Sequence, residues 1–227
     1  MGRDSPYAPP IPGLPPLRAS YVRTERQALC ETARSVGPKA ATLLEGWDVK
    51  DLICHLLVRE SSLLGALGIA LSPLSGLTEK EMARLKKQPF ERLVERFRKP
   101  RFSFSALPPA DAAFNTLELF VHHEDIRRAQ VGWRRRNLPP EAPDTLWKAL
   151  RSQGPALVRS AGVPVVVRRA DTDETSTLMP GREPVELRGP VTELVMYLHG
   201  REEVRELRFG GPEEKVAKIR RAGLGTF

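Results

Sequence analysis

The residues most suited to chemistry lie in FNTLELFVHHEDIRRAQ, from Phe114 to Gln130, which holds two of the chain's four histidines. At about 100° per residue on a helix, Glu118, His122, Asp125 and Ala129 form one narrow stripe. Phe114, Leu117 and Val121 flank it on one side, Leu119 and Ile126 on the other. The polar stripe therefore lies inside the apolar face, whereas a solvated stripe would lie opposite it. Buried carboxylates are paired or bind metal, because an unpaired one is costly to desolvate. Glu118 and His122 are four residues apart, so a carboxylate oxygen and an imidazole nitrogen face the same way one turn apart, as the two histidines of an HExxH helix do. One helix cannot complete a metal site. His55, at the edge of the apolar face of a preceding helix, is the third candidate ligand. Two histidines and one carboxylate leave coordination positions open, the pattern of a catalytic zinc, and also suit iron(II) or nickel. The same spacing also fits a buried Glu–His ion pair without metal.

The neighbours of these residues have subsidiary roles in this reading. Asp125, one turn past His122, is placed to accept a hydrogen bond from its imidazole or to bind an arginine of another helix. Glu60 lies on the apolar face of the His55 helix and is a candidate fourth ligand or general base, or else the ion-pair partner of Arg59 or a loop arginine. Arg59 is itself a candidate for binding substrate. His123 points away from the stripe and is expected at the surface or an interface. His199 precedes Gly200 at a helix end and is expected to serve the helix dipole. Arg127 and Arg128 read as structural ion pairs, and Cys54 as packing.

The elements that must position these groups follow from pattern and punctuation. Residues 1–16 (MGRDSPYAPPIPGLPP) are rich in proline and glycine and read as disordered. A first helix is expected over about 17–36. The second starts at Asp48, a good N-cap, with Asp51 in its first turn and Trp47 and Leu52 as a hydrophobic staple. Val49, Leu52, Ile53, Leu56, Leu63, Leu64 and Leu67 follow at helical spacing. A third helix is expected from Thr78, with Glu81 completing a capping box, to about Lys99. A loop follows over 100–110, then a fourth helix over about 110–131. Together these read as a four-helix bundle spanning 17–136. Arg134–Pro140 reads as a linker, after which the period changes. A helix over 142–161 is followed by strands at 163–169, 176–179 and 185–188. A helix over 189–198, a strand over 204–209 and a helix over 212–222 complete a smaller α+β unit spanning 137–227.

The composition narrows the function classes. The chain has 227 residues and a net charge of +8, which suits acidic small substrates or a solvated basic surface. No nucleic-acid-binding signature accompanies the arginines, so nucleic acid is not an expected partner. The two cysteines form no CxxC pair. No apolar run approaches the roughly 18 residues of a membrane span, and no signal peptide is visible. The expectation is a cytoplasmic monomer or homodimer.

WDVKDLICHLLVRE (Trp47–Glu60), followed some way on by NTLELFVHHEDIRRAQ (Asn115–Gln130), resembles the mycothiol-dependent maleylpyruvate isomerase superfamily. More narrowly, it resembles an actinobacterial subgroup of metal-binding proteins. The resemblance implies an α+β protein with a DinB-like four-helix bundle. GPVTELVMYLHGR (Gly189–Arg201) and the final AGLGTF resemble the subgroup's second, sterol-carrier-like domain. The superfamily's zinc ligands fall on His55, Glu118 and His122, the set already chosen from spacing. Its C-terminal arginine is matched here by Arg201, which makes Arg201 a candidate for catalysis or substrate binding. The resemblance implies a zinc-dependent transferase or isomerase that uses a thiol such as mycothiol on a small electrophile. A non-catalytic metal- or ligand-binding protein is the alternative.

Overall fold

In the computed structural model, which describes residues 21–61, 75–99 and 108–225, the N-terminal half is helical. It comprises α1 (Tyr21–Val36), α2 (Val49–Ser61), α3 (Ser75–Lys86), α4 (Phe90–Arg98) and α5 (Pro108–Arg128). Asp48 caps α2 as expected: its Oδ1 accepts a hydrogen bond from the Asp51 amide at 2.9 Å. The expected single helix from Thr78 to Lys99 is instead two. Pro89 stands at the break, because proline lacks the N–H and clashes with the preceding turn. Its carbonyl receives the Arg92 and Leu93 amides that open α4. Thr78 lies inside α3 and not at its start, and Glu81 binds Arg84 at 2.6 and 2.7 Å. Residues 1–16, the start of the first helix before Tyr21, Leu63, Leu64, Leu67 and the loop over 100–107 lie outside the described residues.

These helices close on Leu29 and Cys30 of α1, Leu52, Ile53 and Leu56 of α2, Leu85 of α3, Leu93 and Phe97 of α4, and Leu119 and Ile126 of α5, all fully buried. The C-terminal half comprises α6 (Ala142–Leu157), a 3-10 turn (Arg159–Ala161), β1 (Val165–Arg169), β2 (Thr175–Met179), β3 (Val185–Gly189), α7 (Val191–Leu198), β4 (Arg208–Gly210) and α8 (Glu213–Arg221). The sheet order is β2-β1-β3-β4, with β1 and β3 parallel and both outer pairs antiparallel. Val165 and Val167 face the core in alternation with half-buried Val166 and Arg168, the period of a strand covered on one side. The strand expected over 204–209 is confined to 208–210, and Gly189 ends β3 and does not open a helix. α6 lies so close to β2 that a Cβ at Gly154 would stand 2.8 Å from Leu178. The α+β fold class expected from the sequence is the one observed. One helix belongs to both cores: Leu119 and Ile126 of α5 point into the bundle, while Leu117, Phe120 and Val121 pack with α6, α7 and the sheet.

Candidate functional site

α5 carries its polar stripe inward, and α2 brings His55 to it. The capped start of α2 places Trp47 against His55, edge to face, with centroids 5.2 Å apart. The His55 ring meets His122 in the same way at 5.4 Å. His122 Nε2 lies 3.4 Å from Glu118 Oε2, and its Nδ1–H donates to Asp125 Oδ2 at 3.0 Å. Arg59, one turn past His55, reaches Glu118 Oε2 with Nε at 3.4 Å and donates Nη1 to Asn115 Oδ1 at 2.6 Å. From the far side, Arg201 holds both oxygens of Asp125 at 2.8 Å and donates Nη1 to the His199 carbonyl. His55, Glu118, His122, Asp125, Arg59 and Arg201 are thus brought together, while Glu60 is not. Glu60 turns to Arg26 of α1 at 2.6 Å, a buried pair whose guanidinium also stacks on Phe97.

The charges in this cluster are unevenly distributed. Burial pushes His55 down to about 4, with the nearby charge of His122 adding to it, so His55 is a neutral imidazole. Burial also disfavours a charged His122, but the hydrogen bonds to Asp125 and Glu118 hold it up to about 9. Glu118 is half-buried, which disfavours its ionised form, yet His122 and Arg59 hold its carboxyl far below the usual range.

The donor set fits a divalent ion chemically. With bonds of about 2.1 Å and tetrahedral angles, two imidazoles on one zinc have centroids about 5 Å apart, close to the separation of His55 and His122. As the side chains stand, no group of three His, Cys, Asp or Glu among the described residues is arranged to hold a metal ion. The Glu118 carboxylate is drawn toward Arg59 and the His122 proton, and a metal would take that proton's place.

One histidine lies where sequence spacing did not put it, and another gains neighbours that spacing did not show. His123, expected at the surface or an interface, is 2% exposed. Its Nδ1–H donates to Glu25 at 2.8 Å, and the Thr32 hydroxyl donates to its Nε2 at 2.8 Å. Glu25 and Glu124 share Arg136, and Glu124 also binds Arg127 and Arg128. Arg128 continues to Glu193 of α7 through two bonds of 2.8 Å. A quarter-turn off the stripe on a helix wheel means surface only if nothing covers that side, and here α1 does. His199 donates Nδ1–H to the Val195 carbonyl at 2.8 Å, the helix-end role expected. It is also close enough to Glu118 and His122 to interact with their charges. No sequence signal links it to them, because α7 belongs to the other half of the chain. A cavity of about 730 Å³ opens between α5, the 135–138 linker and the start of α7. Its lining contains none of His55, Glu118 and His122.

A helical bundle followed by a small mixed sheet is a fold shared with a thiol-dependent isomerase. The solved structure of the mycothiol-dependent maleylpyruvate isomerase superposes with a TM-score of 0.60 at 16% identity, over 84% of this chain and 90% of that one. A histidine-to-alanine mutant of that enzyme superposes at 0.58, with the same identity and coverage. The resemblance read from the sequence therefore holds at the level of the fold. No protein-family model matches the chain, and no curated protein matches it. Among the described residues, no helix is long and apolar enough to cross a membrane.

Proposed function

We propose that the protein binds one divalent metal, zinc in the first instance and nickel or iron(II) by the same donors, through His55, Glu118 and His122. In this reading it is an enzyme that adds a low-molecular-weight thiol of the mycothiol type to a small electrophile, with transfer or isomerisation as the outcome. The observation that carries it is the meeting of these three side chains, from two separate helices, on the fold of a thiol-dependent isomerase. The reaction class rests on fold analogy and the metal on the donors themselves.

A divalent ion at this site would lower the pKa of a bound thiol and keep it as thiolate at neutral pH. The chain's own residues prepare for that. Burial keeps His55 neutral, with its lone pair free to donate. Asp125 accepts the Nδ1 proton of His122 and so directs Nε2 toward Glu118. Arg59 sits beside Glu118 and supplies a positive charge for an anionic substrate group. Two histidines and one carboxylate leave room for an exogenous ligand. The actinobacterial subgroup fits this assignment through WDVKDLICHLLVRE and the HHED of α5.

The test is elemental analysis of the purified protein beside His122→Ala. About one metal per chain, lost in the variant, supports the site. Turnover of a thiol with an electrophile that disappears in His55→Ala supports the reaction. The competing reading, a metal-free ion-pair network in a non-catalytic binding protein, is favoured by the Arg59–Glu118 contact. It prevails if the protein takes up neither zinc, nickel nor iron on reconstitution.

A further inference from the structure

Arg201 was expected to meet substrate, but its geometry gives it another task. It approaches Asp125 side-on: Nε donates to Oδ1 and Nη2 to Oδ2, both at 2.8 Å. This is the fork-to-fork arrangement that fixes direction as well as distance. Nη1 is committed to the His199 carbonyl. Three of the five donors of the guanidinium are thereby used inside the protein, and 16% of the side chain is exposed. Asp125, for its part, has no exposure and faces His122, whose Nδ1–H its Oδ2 accepts at 3.0 Å. A fully buried carboxylate needs a counter-charge, and Arg201 supplies it.

The backbone holds both ends of this chain of contacts. The Asp125 carbonyl accepts the Leu43 amide at 3.0 Å, fixing α5 against the 40–44 loop. On the other side, Arg201 follows a sharp turn at Gly200, where φ is +78° and a Cβ would stand 2.5 Å from the Leu224 carbonyl oxygen. The Arg201 amide donates to the Met196 carbonyl at 3.0 Å. The guanidinium is thus delivered from the end of α7, in the C-terminal half, into the site of the N-terminal bundle.

We infer that Arg201 is a positioning residue that acts on metal binding chiefly through Asp125, so that the C-terminal half sets the metal affinity of a site whose ligands all lie in the bundle. The inference rests on the metal reading above. The orientation of His122 is set by what holds its second nitrogen, and removing such a partner typically weakens metal binding about 10–100-fold. Arg201 holds the holder. With it gone, Asp125 keeps one hydrogen bond to His122 but loses the two that fix its plane.

The experiment is a double-mutant cycle on zinc affinity, measured by chelator competition on the full chain, with Asp125→Asn, Arg201→Gln and the double variant. Thermal melting is recorded alongside. Asp125→Asn is expected to weaken zinc about 10–100-fold and Arg201→Gln by a substantial part of that factor. The double variant should be no weaker than Asp125→Asn alone, because both act through one contact. Arg201→Lys, which keeps the charge and loses the fork, should fall between the native protein and Arg201→Gln; it is also the variant to read if Arg201→Gln does not fold. Zinc affinity unchanged in both Arg201 variants overturns the inference, as do losses that multiply in the double variant. Either result leaves the metal reading intact. A native protein that takes up no metal overturns the reading and this inference together.

Discussion

The buried position of Arg128 makes a sharp prediction about stability. Its side chain is 1% exposed, and its partners Glu124 and Glu193 are 2% and 0% exposed. In Arg128→Met, Glu124 keeps Arg127 at 2.8 Å and Arg136 at 2.9 Å. Glu193 keeps only the Arg205 amide and the Thr192 hydroxyl and loses its counter-charge. Removing one partner of a buried pair costs about 3–5 kcal/mol, and loss of the stacking of Arg128 on Trp133 adds about 0.5–1 kcal/mol. The change is large against a total stability of about 5–15 kcal/mol. Replacing Glu193 as well removes the stranded charge. The double variant Arg128→Met/Glu193→Met should therefore recover part of the loss, short of the stacking on Trp133 and of about 1 kcal/mol for each backbone group left without its partner, the Arg205 amide and the Glu203 carbonyl. The assay is guanidinium unfolding followed by tryptophan fluorescence, with the midpoint shifting at constant slope. A single-variant loss below about 1 kcal/mol, or a second substitution that deepens the loss, would refute the reasoning.

Three further outcomes are expected. Gly200→Ala should cost clearly more than Gly46→Ala: both have positive φ, but a Cβ at Gly46 meets nothing within 4 Å, whereas at Gly200 it meets the Leu224 carbonyl. The left-handed backbone alone costs about 1–2 kcal/mol, so the difference in unfolding midpoints isolates the clash, and equal midpoints would remove it. In chelator, His122 at about 9 contributes stability that is complete below its unfolded value of about 6.5 and is lost as pH rises toward 9. His55, at about 4, contributes stability that is present above about 6.5 and lost as pH falls toward 4. Urea midpoints against pH should thus lose their alkaline fall in His122→Gln and their acid fall in His55→Gln; unchanged profiles would show that neither group carries the linkage. Burial pushes Cys30 up to about 12 and Cys54 up to about 11, so neither thiol should react with a disulfide reagent at neutral pH until the chain is unfolded. Rapid native labelling would show the bundle core to be open.

The inward stripe of α5 was legible because Glu118, His122 and Asp125 interrupt an apolar face, a pattern that local sequence shows directly. The start of α2 was legible for the same reason: Asp48 and Trp47 act within a few residues of themselves. Pro89 was a local signal too, but the apolar spacing of Leu85, Phe90 and Leu93 runs straight across it and suggests one helix where there are two. The misplacement of His123 has a different cause. Its burial comes from Glu25 and Thr32, nearly a hundred positions earlier, and a wheel drawn on one helix carries no information about what lies beside it. The commitments of Glu60 to Arg26 and of Arg201 to Asp125 are likewise long-range choices among several oppositely charged candidates. A basic sequence with many arginines offers too many such pairings to select one.

α5 is also a mechanical beam. Its residues Leu119 and Ile126 are loaded by one core, and Leu117, Phe120 and Val121 by the other. A tilt or twist of this helix that repacks the bundle must also repack the sheet. Amide exchange along β1 and β3 should then report events at His122 on the opposite side. An energy of occupation at Glu118 and His122 would be spread over the whole chain, in keeping with the rule that a ligand stabilises the entire cooperative unit that must open to release it.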